Sequence, residues 1–199
     1  QRYHHAQIQE QDEKVRFELT KRSAQNFHIR PQNFQLLDFL RLIKNRELPR
    51  FYAHSTANFV KLHLPKKIWN TYYKFCFVRN PIDRFISFYY WAGGDRTYGS
   101  LSEFIKKNRA KNLQGHEVFT SNGKLLVDHV YYYEDLQGSL NHLSKKLNLS
   151  PENCLKMPRY KAKGGKRKNR DISKEDLNQT ELDWILSRFQ YEYDSFYKL

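Results

Sequence analysis

Arg79 and Ser87 are the residues whose type and spacing point most directly to chemistry. Arg79 follows the apolar run 72–78, and Ser87 lies eight residues later in a helical pattern. Open α/β sheets bind ligands at the carboxyl ends of their strands, so a strand over 72–78 would place Arg79 at such an edge. A guanidinium group beside a hydroxyl and helical N–H groups suits a phosphate monoester. We therefore predict a phosphate site; the alternative is that Arg79 pairs with Asp83 and Ser87 faces solvent.

A strand followed by a helix is expected to position these two residues. The run 72–78 is aromatic and β-branched and is polar only at Lys74, which is typical of a central strand covered on both faces. Pro81 suits the first position of a helix, and apolar residues recur at helical spacing as far as about Trp91. Gly93, followed by a second glycine, would then end the helix.

The remaining pattern alternates helices with strands. Helical spacing predicts a largely buried helix from 34 to about 45, and Asn122-Gly123 predicts a turn. The other predicted elements are a short helix over 55–62, a helix from Ser100 to about Asn108, a strand over 125–133, a helix with its apolar stripe from Leu136 to Leu147, and helix starts at Ser173 and Thr180. Such alternation predicts an α/β fold with a mainly parallel central sheet flanked by helices. We predict a single domain over residues 1–199, with a poorly patterned segment 1–30 and a basic loop over 156–170.

Length, charge and composition limit the class of protein. The chain has 199 residues and a net charge of +14, with 39% apolar and 16% aromatic residues. This composition supports one sizeable core, excludes wholesale disorder and indicates an anionic partner. No apolar run is long enough to cross a membrane, and the polar first 16 residues are unlike a secretory signal. The two cysteines, Cys76 and Cys154, have no metal-ligand spacing.

The segment that contains Arg79 and Ser87 resembles a motif of a known family. Phe77-Val-Arg-Asn-Pro-Ile-Asp-Arg-Phe-Ile-Ser-Phe-Tyr-Tyr90 is similar to the 3′-phosphate-binding motif of the sulfotransferases. The resemblance implies that Arg79 and Ser87 bind the 3′-phosphate of the donor 3′-phosphoadenosine-5′-phosphosulfate (PAPS). It also implies a P-loop-NTPase-like sulfotransferase fold and a reaction that requires no metal.

Two further segments resemble the carbohydrate-modifying branch of the sulfotransferases, which includes heparan sulfate 2-O-sulfotransferases and bacterial relatives. They are the lead-in Ile68-Trp-Asn-Thr-Tyr-Tyr-Lys-Phe-Cys-Phe-Val-Arg79 and the segment from Asn122 to Leu136, which ends in Tyr-Glu-Asp-Leu. The resemblance covers roughly residues 50 to 199 and implies a glycan as the acceptor.

One part of the sulfotransferase pattern is not found in this sequence. Sulfotransferases have a second donor loop near the N-terminus, of the Pro-Lys-Thr-Gly type, which binds the 5′-phosphosulfate much as a P-loop binds phosphates. Here all 8 glycines lie at or after Gly93, and the only methionine is Met157. We expect that the loop lies upstream of Gln1, so that the sulfotransferase fold is N-terminally incomplete. The alternative is a degenerate, non-catalytic relative.

His54 is the candidate general base. The segment Tyr52-Ala-His54-Ser-Thr-Ala57 is similar to a histidine-containing segment that shortly precedes the 3′-phosphate strand in the resembling family. Sulfuryl transfer needs a group that takes the proton of the acceptor hydroxyl, and an imidazole with an unperturbed pKa near ~6.5 suits that role. The alternative is that His54 caps a helix or packs in the core.

The run Lys156–Arg170 contains eight basic residues and no acidic one. Such runs are commonly solvated loops. In the resembling family a basic, glycine-containing loop at this place closes over the donor nucleotide. The resemblance therefore makes Gly165, Lys166, Arg167 and Lys168 candidates for donor contact, and the run would also attract acidic glycans.

Two functions are consistent with these features. The first is sulfuryl transfer from PAPS to a hydroxyl group of a carbohydrate, without a metal. The second is a non-catalytic module that binds polyanions or nucleic acid, supported by the net charge and by the 14 Tyr and 14 Phe residues. The aromatic residues lie mostly at core spacings and no nucleic-acid motif appears, so nucleic acid is the less favoured partner. The oligomeric state stays open, as does the compartment, which is the cytoplasm for a bacterial protein or the Golgi lumen, through an anchor outside this segment, for a eukaryotic one.

Overall fold

The computed structural model describes residues 28–52, 54–157 and 172–198, together with residues 14, 17, 18 and 21. Its helices and strands are, in chain order, α1 (Leu36–Asn45), α2 (Ala57–His63), α3 (Lys66–Thr71), β1 (Phe75–Val78), α4 (Pro81–Trp91), α5 (Gly94–Thr97), α6 (Leu101–Lys106), β2 (Thr120–Ser121), β3 (Lys124–Leu125), β4 (His129–Tyr132), α7 (Leu136–Lys146), α8 (Gln179–Arg188) and α9 (Gln190–Phe196). The structure is thus a mixed α/β fold that is rich in helix and contains a small parallel sheet.

The chain separates into two compact units. The first comprises Gln1–Tyr73 with Thr120–Leu126, and the second comprises Lys74–Phe119 with Val127–Leu199. The expectation of a single sulfotransferase-like domain over residues 1–199 stays a prediction. Most of the segment 1–30 lies outside the described residues, and so does most of the basic loop 156–170.

In the first unit, α1 packs through its polar side. Gln35 and Asp38 form a capping box at its first turn, and Asp38 is buried. Among the described residues, the apolar side chains of Leu36, Leu40 and Ile43 are 77%, 55% and 78% exposed. The prediction that this helix is largely buried was therefore wrong. Helical periodicity identifies an apolar face but does not state which face of the helix packs.

The first unit also contains α2, α3 and a hairpin. Thr56 caps α2, because its hydroxyl accepts a hydrogen bond from the Phe59 N–H at 3.1 Å, and α2 confirms the predicted short helix. The strands β2 and β3 pair antiparallel on either side of Asn122 and Gly123, whose φ angles are 50° and 72°. Two successive positive φ angles are those of a type I′ hairpin turn, so the predicted turn is confirmed.

In the second unit, β1 and β4 form a parallel pair. Phe75 lies opposite His129, and Val78 lies opposite Tyr132. Phe75 and Phe77 are 39% and 38% exposed, so the described residues do not cover β1 on both faces. The expectation of parallel pairing is thus confirmed for β1 and β4, whereas a central strand covered on both faces was a wrong expectation for the part of the chain that the structure describes. Aromatic residues favour a strand, but they do not require it to be buried.

Several predicted boundaries are corrected by local interactions. The predicted strand 72–78 is shorter because Tyr72 still belongs to the end of α3, where its N–H donates to the Ile68 carbonyl. The predicted strand 125–133 is divided between β3 and β4. The helix start expected at Thr180 is supplied instead by Asn178, whose side chain forms a capping box with Glu181. A second helix, α9, follows α8 and was not predicted.

The core of the second unit forms around α4, which spans the predicted range. Its buried side chains are Ile82, Phe85, Ile86, Tyr89 and Tyr90, and they share one cluster with Leu101, Phe104, Leu177, Ile185 and Phe189. Each fully buried side chain of this size stabilises the fold by about 1.5–3 kcal/mol. The helix ends before Gly93, which has a φ angle of 70°, as the sequence predicts. This core packs α4 into the second unit directly after β1.

Candidate functional site: the carboxyl edge of the parallel strands

Two chain segments leave the same edge of the parallel β1–β4 pair. Because Val78 and Tyr132 are opposite each other, the residues that follow them, Arg79 and Tyr133, lie at one carboxyl edge. The Tyr133 N–H donates to the Val78 carbonyl at 2.9 Å, which continues the strand pairing into this edge. The carboxyl edge of parallel strands is where α/β folds bind ligands.

The guanidinium group of Arg79 is not engaged in an ion pair within the described part of the chain. Its central carbon lies 5.0 Å from the centre of the Tyr133 ring, a distance at which a cation is attracted to an aromatic face. Asp83 is exposed in the first turn of α4 and forms no ion pair with Arg79. The alternative in which Arg79 and Asp83 form a local ion pair is therefore not observed. A half-buried cation at this edge can receive an anion.

Ser87 lies on α4, two turns after the helix begins, and is half-buried. Its hydroxyl forms no hydrogen bond with any other described residue. The start of α4 is capped by Asn80, whose Oδ1 accepts a hydrogen bond from the Ile82 N–H at 3.0 Å. A hydroxyl without a protein partner can donate to a ligand oxygen.

Arg84, the second arginine of the motif, has a structural role. Its Nη2 donates to Glu192 Oε1 at 2.9 Å, and its guanidinium lies 4.4 Å from the centre of the Phe189 ring. Glu192 is only 1% exposed, and its Oε2 also accepts a hydrogen bond from His116 Nδ1 at 3.2 Å. Glu192 lies 108 residues from Arg84 in the sequence, and no local pattern announces this network.

Glu134, to which the sequence gives no role, holds the turn after Arg79. The Asn80 N–H donates to Glu134 Oε1 at 2.6 Å, and the Tyr197 hydroxyl donates to Glu134 Oε2 at 3.0 Å. Glu134 lies in the segment that resembles the sulfotransferases, two residues after β4 ends. Glu134 directly follows the predicted strand 125–133, and this position is the sequence signal that could have indicated it, because it lies at the same edge as Arg79.

At the opposite end of the strand pair, Lys74 and Asp128 hold the strands together. Lys74 Nζ lies 2.8 Å from Asp128 Oδ2, and the Lys74 N–H donates to the same oxygen at 2.8 Å. The Asp128 N–H donates to the Lys74 carbonyl at 2.8 Å. The hydrogen bond from the Lys74 side chain, with the backbone one, holds the pKa of Asp128 below its usual range. Both ends of the strand pair are thus fixed by an acidic side chain.

His54, the candidate base, belongs to the first unit and is exposed. Its φ angle of 65° lies in the left-handed region, which non-glycine residues adopt at a cost. The turn around it is held by Ser55, whose hydroxyl accepts from the Tyr52 N–H at 2.9 Å and donates to the Tyr52 carbonyl at 2.8 Å. No hydrogen bond or ion pair joins its imidazole to another described residue. The ring is therefore neither a helix cap nor a core side chain.

His63, by contrast, is buried and structural. Its Nδ1–H donates to the Phe59 carbonyl at 2.7 Å, and its Nε2 lies 2.7 Å from Asp38 Oδ2. Burial opposes ionisation of Asp38, but hydrogen bonds from the Gln35 N–H and from His63 hold the pKa of Asp38 below its usual value. Both ring nitrogens of His63 form hydrogen bonds, so of the two histidines at positions 54 and 63 only His54 is exposed.

The remaining features fall into two groups, those that the described residues do not support as functional sites and those that lie outside the described residues. Burial raises the pKa of the Cys76 thiol to about 11, so it is not a thiolate at neutral pH. The described residues contain no cluster of His, Cys, Asp and Glu that could bind a metal ion, and no described helix is long and apolar enough to span a membrane. Gly165, Lys166, Arg167 and Lys168 lie outside the described residues.

One of the comparisons with known proteins identifies a family. The model of the family described as "Sulfotransferase family" matches residues 26–198 of the chain. An uncharacterized protein of Archaeoglobus fulgidus is 32% identical over 98 residues, which cover 47% of this chain and 82% of that protein. No solved structure is significantly similar to the chain.

Proposed function

The chain belongs to the sulfotransferase family, and we propose that it transfers the sulfuryl group of PAPS to a hydroxyl group of a carbohydrate. Family membership favours this reaction over a non-catalytic module that binds polyanions or nucleic acid. The carbohydrate acceptor and the P-loop-NTPase-like fold belong to the proposal. The acceptor rests on the resemblance to the carbohydrate-modifying branch, and the fold rests on the resemblance to the 3′-phosphate motif.

The donor's 3′-phosphate binds, in this proposal, between Arg79 and Ser87. The observation that carries it is a guanidinium group at the carboxyl edge of two parallel strands, without an ion-pair partner among the described residues. Arg79 would form charge-assisted hydrogen bonds with the phosphate oxygens, and the Ser87 hydroxyl would donate another. The Tyr133 ring lies against the guanidinium group and helps to hold it at this edge, where the phosphate would bind.

His54 is the proposed general base. The acceptor oxygen attacks sulfur, the bond between sulfur and the 5′-phosphate oxygen breaks, and the acceptor proton passes to the imidazole. The products are the sulfated acceptor and adenosine 3′,5′-bisphosphate. An exposed imidazole with no hydrogen-bond or ion-pair partner among the described residues can accept this proton, and its left-handed backbone is of the kind found at functional sites. Positioning and neutralisation of charge supply most of the rate enhancement, by analogy with phosphoryl transfer.

The basic loop adds a second cationic group to the proposed site. Gly165, Lys166, Arg167 and Lys168 are proposed to contact the donor, because a glycine flanked by cations can close over an anion. The net charge of +14 would also draw a sulfated or carboxylated glycan toward the enzyme. No metal is needed for the proposed reaction.

Calorimetric titration of adenosine 3′,5′-bisphosphate at two salt concentrations tests the proposal. We expect saturable one-to-one binding whose affinity falls less steeply with salt than that of a polyanion, because one nucleotide carries only a few phosphate charges. A polyanion-binding surface would instead bind heparin and single-stranded nucleic acid regardless of sequence, with an affinity that falls steeply with salt. Binding of polyanions without stoichiometric nucleotide binding would contradict the proposed function.

A further inference from the structure

The turn that carries Arg79 is fastened at its next residue, Asn80. Two of the hydrogen bonds of Asn80 belong to the start of α4: its Oδ1 accepts from the Ile82 N–H at 3.0 Å, and its carbonyl accepts from the Arg84 N–H at 2.9 Å. The third hydrogen bond is different, because the Asn80 N–H donates to a side chain 54 residues away, at Glu134 Oε1. Its length of 2.6 Å is short for a hydrogen bond between nitrogen and oxygen.

The Glu134 carboxylate is itself held in place. Its Oε2 accepts a hydrogen bond from the Tyr197 hydroxyl at 3.0 Å, and the Tyr197 ring lies edge-on to Tyr132 with 5.8 Å between the ring centres. Burial, and then the charge of Glu134, raise the pKa of Tyr197, so the phenol stays protonated and remains a donor at neutral pH. Glu134 thus links the residue after α9 to the turn after β1.

The hydrogen bond to Asn80 restrains Arg79 through the planar peptide group. The carbonyl of Arg79 and the N–H of Asn80 belong to one plane, so fixing the direction of the N–H fixes ψ of Arg79. The backbone of Arg79 in turn decides the direction in which its side chain leaves. An ionised acceptor makes this restraint stronger than a neutral one would.

We propose that Glu134, held by Tyr197, is a positioning residue that orients Arg79 toward the 3′-phosphate of the donor. It contacts no nucleotide atom and acts through the backbone of Arg79. The inference rests on the proposed function, because it assumes that Arg79 binds the phosphate. It gives a role to a residue whose function the sequence does not indicate.

The test is the affinity for adenosine 3′,5′-bisphosphate in matched variants, measured by calorimetry. We expect Glu134→Ala to weaken binding about tenfold, because an ionised hydrogen bond is lost. Glu134→Gln should bind within about threefold of the wild type, because its amide oxygen accepts the same N–H. The Tyr197→Phe substitution removes the second hydrogen bond and keeps the ring, so we expect a loss of about threefold.

A double-substitution cycle with Arg79→Lys separates positioning from general stability. Lysine is a point charge on a flexible stem without the planar fork of arginine, so its phosphate binding depends little on backbone direction. Adding Glu134→Ala to Arg79→Lys should therefore change the affinity less than about twofold. A general structural loss would weaken both backgrounds equally, and that result would overturn the inference.

Other results distinguish a failure of this inference from a failure of the proposed function or of a variant to fold. Wild-type affinity in the Glu134→Ala variant would overturn the inference alone and leave the proposed function intact. Absence of nucleotide binding by the wild-type chain would overturn the proposed function and this inference with it. Circular dichroism and thermal melting report whether Glu134→Ala folds; if it does not, Tyr197→Phe carries the test in both Arg79 backgrounds, and equal losses in the two would overturn the inference.

Discussion

Replacement of His54 separates a catalytic role from a structural one, because the backbone at this position is left-handed. With φ at 65°, an L-residue carries a cost of about 1–2 kcal/mol that glycine does not. Glycine also gains about 0.5–1 kcal/mol of backbone freedom in the unfolded chain, which offsets part of that relief. His54→Gly should therefore be as stable as the wild type or more stable by up to about 1.5 kcal/mol. His54→Ala keeps the strain and should be the less stable variant of the two.

If His54 takes the acceptor proton, turnover falls in both variants regardless of stability. A general base contributes roughly 10²-fold or more, which corresponds to about 2.7 kcal/mol of transition-state stabilisation. The assay is transfer of radiolabelled sulfate from PAPS to desulfated heparin by the full-length protein, with thermal melting on the same samples. Each 1 kcal/mol should move the melting temperature by about 2–4 °C. His54→Asn, which tolerates a left-handed backbone, is the matched control for loss of the imidazole alone.

The result that would refute this reasoning is turnover that follows stability. If His54 only holds the turn, His54→Gly would work normally and only His54→Ala would be impaired. If it is the base, all three variants should be equally slow, and their affinity for adenosine 3′,5′-bisphosphate should be unchanged. Near-normal turnover of His54→Gly would move the base to another residue.

Three other predictions concern Ser87, Asp128 and a pair of isoleucines, of which Ile185 lies in the second unit and Ile43 in the first. Ser87→Ala should weaken adenosine 3′,5′-bisphosphate binding about tenfold, since one hydrogen bond to a charged group is lost, and an unchanged dissociation constant would remove Ser87 from the site. The pKa of Asp128 is depressed by its hydrogen bonds with Lys74, so the stabilisation is present above the usual pKa near ~4 and is lost as pH falls through the lower folded value. Asp128→Asn should lower the free energy of unfolding at pH 7 by about 0.2–1 kcal/mol and flatten its decline below about pH 4, and denaturant titrations with wild-type stability at pH 7 would contradict this. Ile185→Ala, at a fully buried site, should cost about 2–5 kcal/mol in the same titrations, whereas Ile43→Ala, at a site that is 78% exposed, should cost less than about 0.5 kcal/mol. Equal losses for the two isoleucines would mean that the Ile43 face is covered in solution.

The helix that carries Ser87 could be predicted because its signals are local. Pro81 at its first position, the apolar spacing after it and Gly93 at its end all lie within a few turns of one another. The hairpin turn at Asn122 and Gly123 was predicted for the same reason, since the two residues favour left-handed backbone angles. Capping and turn chemistry depend on neighbouring residues and are therefore readable from sequence.

The direction in which α1 packs could not be predicted in this way. Its apolar spacing is strong, yet the buried side of the helix holds Asp38, because that carboxylate accepts the Gln35 N–H and contacts His63. A buried acid that is stabilised by a partner 25 residues away leaves no local signal. The network of Glu192 with Arg84 is hidden for the same reason.

The candidate site was predicted in part. The sequence indicated Arg79 and Ser87 as candidates because a guanidinium after a strand and a hydroxyl on the next helix are separated by a fixed spacing, and their contact with a ligand stays a prediction. It did not identify Glu134 or Tyr197 as parts of the same edge, because their contact with Asn80 depends on the pairing of β1 with β4. The sequence therefore indicated candidate contact groups, but not the groups that hold the turn beside them.

The most direct test of the central claim compares two arginines that are matched in charge and in aromatic contact. The guanidinium of Arg109 lies 5.5 Å from the centre of the Tyr98 ring, much as Arg79 lies 5.0 Å from that of Tyr133, but Arg109 lies outside the motif over residues 77–90. Adenosine 3′,5′-bisphosphate is titrated into the wild-type chain, Arg79→Ala and Arg109→Ala by calorimetry. The account predicts that Arg79→Ala abolishes stoichiometric binding while the protein stays folded, and that Arg109→Ala binds like the wild type. Equal affinity in the two variants would contradict the assignment of Arg79 to the donor's 3′-phosphate.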